Sequence, residues 1–130
     1  MKIESITLRE IHKRLKSPFE TSFGVAHDRR IVLVEVIADG VSGWGEVTAG
    51  ETPGYNAETT ETAWHVLSDF IAPASIGKEV GSAADFPELV AHMRGHEMAK
   101  SGLENALWDA EAQIKGVSLS KLLGDRKSVV

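Results

Sequence analysis

The eight residues Ile31 to Ala38 read Ile-Val-Leu-Val-Glu-Val-Ile-Ala, a run that constrains the fold more than any other stretch of the chain. β-Branched side chains lose rotamer freedom in a helix and pack well on a pleated surface, so the run is expected to be a strand. Its even positions, Val32, Val34, Val36 and Ala38, are all apolar and mark a face turned toward a core. The odd face is partly apolar too, which predicts helical cover on that side as well. Asp39-Gly40 follows directly, and this pair favours a two-residue turn because both positions tolerate positive φ. The chain then returns along Val41 to Thr48, where Gly43-Trp44-Gly45-Glu46 places two glycines inside a strand. Glycines there mark a bend or a close approach of another backbone.

A third strand precedes this hairpin. Ile6 and Leu8 share one parity while Ile11 and Leu15 share the other, so the change of phase near Arg9 and Glu10 predicts a bulge or bend. The polar stretch from Ser17 to Asp28 reads as a loop. From Asn56 onward the apolar spacing lengthens from two to about 3.6, the period of helices packing one face on a core. Ala63, Trp64, Leu67, Phe70 and Ile71 form a first stripe that Pro73 is expected to close. Gly77 to Ala84 is a short inter-helix join. Asp85 and Glu88 have the spacing of a capping box, with Pro87 in the first turn and Phe86, Leu89, Val90 and Met93 as a second stripe ending at Gly95. The longest pattern runs from Glu97 to Lys115, with Ala99, Leu103, Ala106, Leu107, Ala110 and Ile114 on one side and Gly116 beyond its end. Gly102 lies within it at a cost of about 1 kcal/mol relative to alanine. A last turn, Ser118 to Leu123, stops at Gly124. The expected fold is therefore α+β: a three-stranded antiparallel meander followed by three to four helices.

Charge narrows the partners. Nineteen acidic against 14 basic residues give a net charge of −5, which argues against nucleic acid and against an anionic membrane surface. No stretch has the length of a membrane span, and Met1 to Arg9 alternate charged and apolar side chains unlike a secretory signal. Without cysteine there is neither disulfide nor thiolate metal site, and the cytoplasm is the expected location.

Few residues have the spacing of catalytic groups. His92 and His96 are four apart, as paired metal ligands on a helix are, but Gly95 interrupts them and surface histidines are the simpler reading. Glu46 and Glu51 form an acid/base pair if a strand end and the next loop converge; otherwise they are solvated carboxylates. Lys13, Arg14, Lys16, Arg29 and Arg30 bracket the stretch Ser17 to Asp28, either as solvated strand ends or as positive charge favouring a carboxylate ligand. Within that stretch Phe19 and Phe23 stand among hydroxyls. A large apolar side chain left in water forgoes roughly 1.5–3 kcal/mol of burial, so these two tuck under the sheet or cover a ligand or another domain. Ala49 to Tyr55 combines turn formers with an aromatic, a composition suited to a binding loop.

Taken in order, Lys16-Ser17-Pro18-Phe19-Glu20-Thr21-Ser22-Phe23-Gly24, Val34-Glu35-Val36, Gly43-Trp44-Gly45-Glu46, Leu103-Glu104-Asn105-Ala106-Leu107-Trp108-Asp109 and Lys115 to Gly124 carry a resemblance. The chain resembles the N-terminal capping domain of the muconate-lactonising subgroup of the enolase superfamily, and is most similar to o-succinylbenzoate synthases and N-acylamino acid racemases. The resemblance covers essentially the whole chain. It implies a cap over a (β/α)-barrel with two flexible substrate-contact loops. The first would place Phe19, Thr21, Ser22 and Phe23 against the substrate, the second Gly50, Glu51 and Tyr55. Trp108 and Asp109 would be structural.

The same resemblance implies chemistry elsewhere. In the family a proton next to a carboxylate is removed by lysines, with Mg²⁺ and its three acidic ligands on the barrel. A barrel takes about 250 residues, so residues 1–124 would be the cap and 125–130 the start of a linker to a barrel that this chain lacks. No cofactor is then expected in this chain, and no catalytic residue. Its partners would be the barrel, a small carboxylate substrate in the parent enzyme, and, in a homo-oligomer, a second copy of itself. Ser118 and Asp125 stand where proline and glycine are common in the family, and Lys13-Arg14 where apolar residue and proline are expected. Two other functions compete: a stand-alone self-associating interaction module, and a small enzyme using Glu46 or the histidines.

Overall fold

The computed structural model describes residues 1–21 and 24–124, with residues 18–21 and 24–27 described by backbone alone. Three antiparallel strands, β1 (Ile3–Thr21), β2 (Gly24–Ala38) and β3 (Val41–Val47), lie in the order β1-β2-β3. The expected turn joins the last two, with Asp39 at φ 48° and Gly40 at φ 76°, and sets the register Ala38 opposite Val41. Because side chains alternate with period two, this register sends Val32, Val34, Val36 and Ala38 to one face, where each is fully buried.

The other face differs from expectation. Ile31, Leu33 and Ile37 stay partly exposed there, Trp44 is 45% exposed, and no described helix covers them. A three-stranded sheet needs one apolar cover to be stable, and here the open face partly shields itself. Arg9 sits 5.7 Å from the Trp44 ring centre and 3.1 Å from Glu35, which also accepts a hydrogen bond from Ser42 at 3.0 Å.

The expected bulge at Arg9 and Glu10 is absent. Pairing runs unbroken from Ser5 opposite Ile37 to Arg14 opposite Asp28. The phase change in the sequence is instead a change of face: Ile6 and Leu8 pair with Val36 and Val34 on the core side, whereas Ile11 opposes Ile31 on the open side. The register slips elsewhere, between Ile3 and Ser5 and between Arg14 and Phe19.

Ser17 to Asp28 is likewise not a loop. Pairing continues through Phe19 opposite Ala26, Glu20 opposite Val25 and Thr21 opposite Gly24, so the stretch is a hairpin arm projecting beyond the sheet. Phenylalanine, threonine and valine favour strands, and their propensity prevails here over the polar residues between them. At the base of the arm β1 advances from residue 14 to 19 while β2 advances only from 28 to 26.

Four helical units follow. The first runs through α1 (Thr60–Val66), a π-helical turn at Leu67–Ile71 and α2 (Ala72–Ser75). Thr59 and Thr62 cap it reciprocally. Pro73 does not close it. A proline ring clashes with the carbonyl four residues back, and the widened turn just before it opens the spacing to five residues, as the Ala72 N–H to Leu67 bond shows. Ala63, Leu67 and Ile71 are buried as expected, but the widened turn leaves Phe70 52% exposed. The second unit is shorter than expected. The capping box belongs to Ser82 and Asp85, around a 3₁₀ turn at Ala83–Asp85, and Asp85 makes no side-chain cap for α3 (Phe86–Leu89). Phe86 and Val90 still reach the core. The third, α4 (Glu97–Lys115), has the expected limits and ends at Gly116 with φ 67°, although Ile114 is 40% exposed. Ser118 caps α5 (Leu119–Leu122), and Gly124 follows at φ 84°.

The glycines of β3 are explained by α4. A methyl group on Gly45 would lie 2.1 Å from the Gly102 carbonyl oxygen, and one on Gly43 2.1 Å from that of Ala106. Helix backbone thus rests directly on strand backbone. Gly102 belongs to the same contact, since a methyl group there would come within 2.5 Å of Val47 Cγ2.

Candidate functional site

The second candidate loop leaves β3 at the end of the sheet where the hairpin arm begins. Its first residues are held from several sides. Thr60 donates from its backbone N–H to the Gly50 carbonyl at 2.9 Å and from its hydroxyl to that of Ala49 at 3.3 Å. Arg29 donates to the Thr48 carbonyl at 2.6 Å. Arg30 lies among three carboxylates, with Glu10 Oε1 at 2.5 Å and Glu51 Oε1 at 3.6 Å from its Nε, and Glu61 bonded to Nη2. The hydrogen bond from Arg30 holds the Glu10 carboxyl below its usual range, and Glu10 and Glu61, Glu10 foremost, keep Arg30 more firmly protonated than an ordinary arginine. Beyond this stem the loop is open: Thr52 to Asn56 are exposed, and Tyr55 is 91% exposed.

The far side of the loop is fixed by Glu58. This residue is buried, and its carboxylate accepts from the backbone N–H groups of Met98 at 2.8 Å and Ala99 at 3.0 Å. His96, the residue before α4, has φ 57° and provides no side-chain cap. Glu58 therefore serves the orphan donors and the positive dipole end of α4 from across the fold.

Of the residues predicted to touch substrate, Gly50 and Glu51 belong to the stem and Tyr55 to the exposed tip. Phe19 and Thr21 lie on the backbone of the hairpin arm. Ser22 and Phe23 lie outside the described residues. Arg30 is more than a solvated strand end. Its signal in the sequence was a charge on the core-facing parity of β2, matched by Glu10 on β1. Glu58 carried no periodic signal.

The other candidates do not assemble. Glu51 turns to Arg30, while Glu46 lines a shallow cleft with Val47, Thr48, Glu97, Met98, Ser101 and Asn105. His92 and His96 lie in the turn before α4, not on one helical face. His96 instead borders an apolar hollow of about 330 Å³ with Phe70 and Met93. Among the described residues no group of three or more histidines and acids is placed to hold a metal ion. Asp109 accepts from the Trp44 backbone N–H at 2.8 Å, and Gln113 donates to the Ser42 carbonyl at 2.8 Å, so α4 side chains satisfy the free edge of β3. Trp108 donates to Glu104 at 3.3 Å within the same helix.

Residues 2–124 match the family model described as mandelate racemase / muconate lactonizing enzyme, N-terminal domain. The chain belongs to this family. It is 42% identical to o-succinylbenzoate synthase of Bacillus subtilis (strain 168) over 100% of this chain and 35% of that protein. It is 35% identical to N-succinylamino acid racemase of Amycolatopsis sp., again over 100% of this chain and 35% of that protein. Among solved structures, an enolase-superfamily member from Listeria innocua superposes with a TM-score of 0.92 at 30% identity, covering 98% of this chain and 34% of that one. Muconate lactonizing enzyme from Pseudomonas fluorescens, complexed with muconolactone, gives 0.90 at 30% identity, covering 97% and 34%. This mandelate racemase/muconate lactonizing enzyme N-terminal domain thus spans about a third of the length of the relatives it matches.

Proposed function

We propose that this domain caps the active site of a Mg²⁺-dependent enzyme acting on a small carboxylate, and contributes specificity contacts but no catalytic group. Residues 1–124 form the cap and 125–130 begin the link to a catalytic barrel, in the cytoplasm. The observation that carries this reading is the convergence of the hairpin arm and the second loop at one end of the sheet, where Arg29 and Arg30 join their bases. Two projections from one rigid end form a lid, and aromatic side chains on them exclude water from whatever lies beneath. Phe19, Thr21, Ser22 and Phe23 on the arm, and Gly50, Glu51 and Tyr55 on the loop, are the substrate contacts. The relatives' names share carboxylate compounds, o-succinylbenzoate and N-succinylamino acids, which supports that substrate class. Mg²⁺ supplies charge stabilisation to such a substrate when bound. Its ligands belong to the part of the relatives' length that this chain does not span.

The test is a chimera in which this domain replaces the first third of the B. subtilis o-succinylbenzoate synthase. Turnover above that of the headless remainder is expected, with Phe19→Ala, Phe23→Ala and Tyr55→Ala each raising KM. Turnover by the 130-residue chain alone with Mg²⁺ would refute the reading, as would a headless remainder as active as the chimera.

A second reading, self-association as an interaction module, is favoured by the uncovered sheet face bearing Trp44, Ile31, Leu33 and Ile37. Light scattering decides it: a strictly monomeric species at high concentration rules it out.

A further inference from the structure

Of the proposed cap's two projections, the second must be fixed relative to the first. The exposed part of the second loop makes few contacts of its own, so its placement depends on the stem. That stem is anchored chiefly from β2 and α1. Arg29 and Arg30 are consecutive, and so point to opposite faces of the strand, yet both reach the second loop: one takes a backbone carbonyl at its start, the other a carboxylate three residues on.

Arg30 is the more constrained. Its side chain is only 20% exposed, and its guanidinium meets one carboxylate from each of three elements: Glu10 from β1, Glu51 from the loop and Glu61 from the first turn of α1. A planar fork with five donors serves several acceptors at fixed angles, which a lysine ammonium does not. Glu10 and Glu61 belong to regular structure and hold the fork still. Glu51 is the one partner on a loop. The network is therefore asymmetric, with two fixed carboxylates orienting the guanidinium and the third drawn to it.

Resting on the capping reading, we propose that Arg30 is the positioning residue of the second loop, orienting Glu51 and through it the exposed Tyr55 toward the hairpin arm. Arg30 itself does not touch substrate. It sets where the loop stands when substrate arrives, so that less ordering remains to be done on binding.

Backbone order parameters from nitrogen-15 relaxation on the 130-residue chain test the placement independently of any activity. In Arg30→Lys, and separately in the exposed Glu51→Gln, those of the loop are expected to fall, Gly50 and Glu51 most, toward the flexible range below about 0.6. Those of α4 and the melting temperature should change little. Unaltered values at Gly50 and Glu51 in Glu51→Gln overturn the proposal. So does a fall of equal size throughout the chain, which would report general loosening. Glu51→Gln removes no buried group, so it keeps the test decisive even where Arg30→Lys fails to fold.

The chimera supplies the functional readout. Arg30→Lys should raise KM several-fold with kcat nearly retained, and more than Glu61→Gln does. A fall in kcat at unchanged KM overturns the positioning role. An inactive chimera carrying the unaltered cap would count against the capping reading, while the order parameters would still decide whether Arg30 holds the loop.

Discussion

Glu58 and Glu111 are buried acids whose roles depend on backbone partners. Glu58 receives the first amides of α4, and removal of its carboxylate leaves two donors without an acceptor. Glu58→Ala is expected to lower the free energy of unfolding by about 1–3 kcal/mol, measured by urea denaturation. Glu111 accepts from the Ala83 backbone at 2.7 Å and from Lys115 at 3.0 Å. Burial alone would raise its pKa, but the Ala83 amide, together with Lys115 and Ser82, holds it below the ordinary 4.5. A carboxyl lowered in the folded state adds stability that is complete above the unfolded value and is lost as pH falls through the folded one. The stability gap between the unaltered chain and Glu111→Gln should therefore stay constant down to about pH 5 and close below it. A gap that widens on acidification would contradict this assignment.

At the scale of elements, the contact between α4 and β3 decides the packing. Gly45→Ala and Gly43→Ala each force a methyl group against a helix carbonyl, and backbone cannot step aside as a side chain can. Each is expected to cost about 3 kcal/mol or more, at the upper end of overpacking effects. Gly102→Ala gains about 1 kcal/mol of helix propensity but meets the side chain of Val47, so its net loss should be smaller. Thermal unfolding of the three variants checks the order. These elements also show what a sequence discloses. The limits of α4 were legible because its period, its apolar stripe and its terminal glycine agree. The turn at Asp39-Gly40 was legible because its backbone demands particular residues. The hairpin arm was not, because its polar residues and glycine resemble those of a loop and break the alternation that marks a strand. Pro73 misled for a related reason: the π-helical turn that accommodates it leaves no mark in the spacing.

For the whole molecule, the candidate site was half legible. Turn formers and an aromatic pointed to Gly50, Glu51 and Tyr55, and the structure places the first two on a braced stem and the third at an open tip. The bracing itself needed the fold, since Arg30, Glu10, Glu51 and Glu61 are separated in sequence and meet only through strand register and helix docking. At this scale the expected outcome is an absence of turnover by the isolated chain, checked with Mg²⁺ and N-succinylamino acids. Its restoration in the chimera is the complementary measurement.

The bare backbone contact of Gly43 and Gly45 with α4 has a mechanical consequence. Side chains between two elements act as a cushion, since rotamer changes absorb small displacements. At Gly43 and Gly45 there is none, so there strand and helix shift together. The frame beneath the two projections is stiff in the direction that matters, and compliance is left to the arm and the loop.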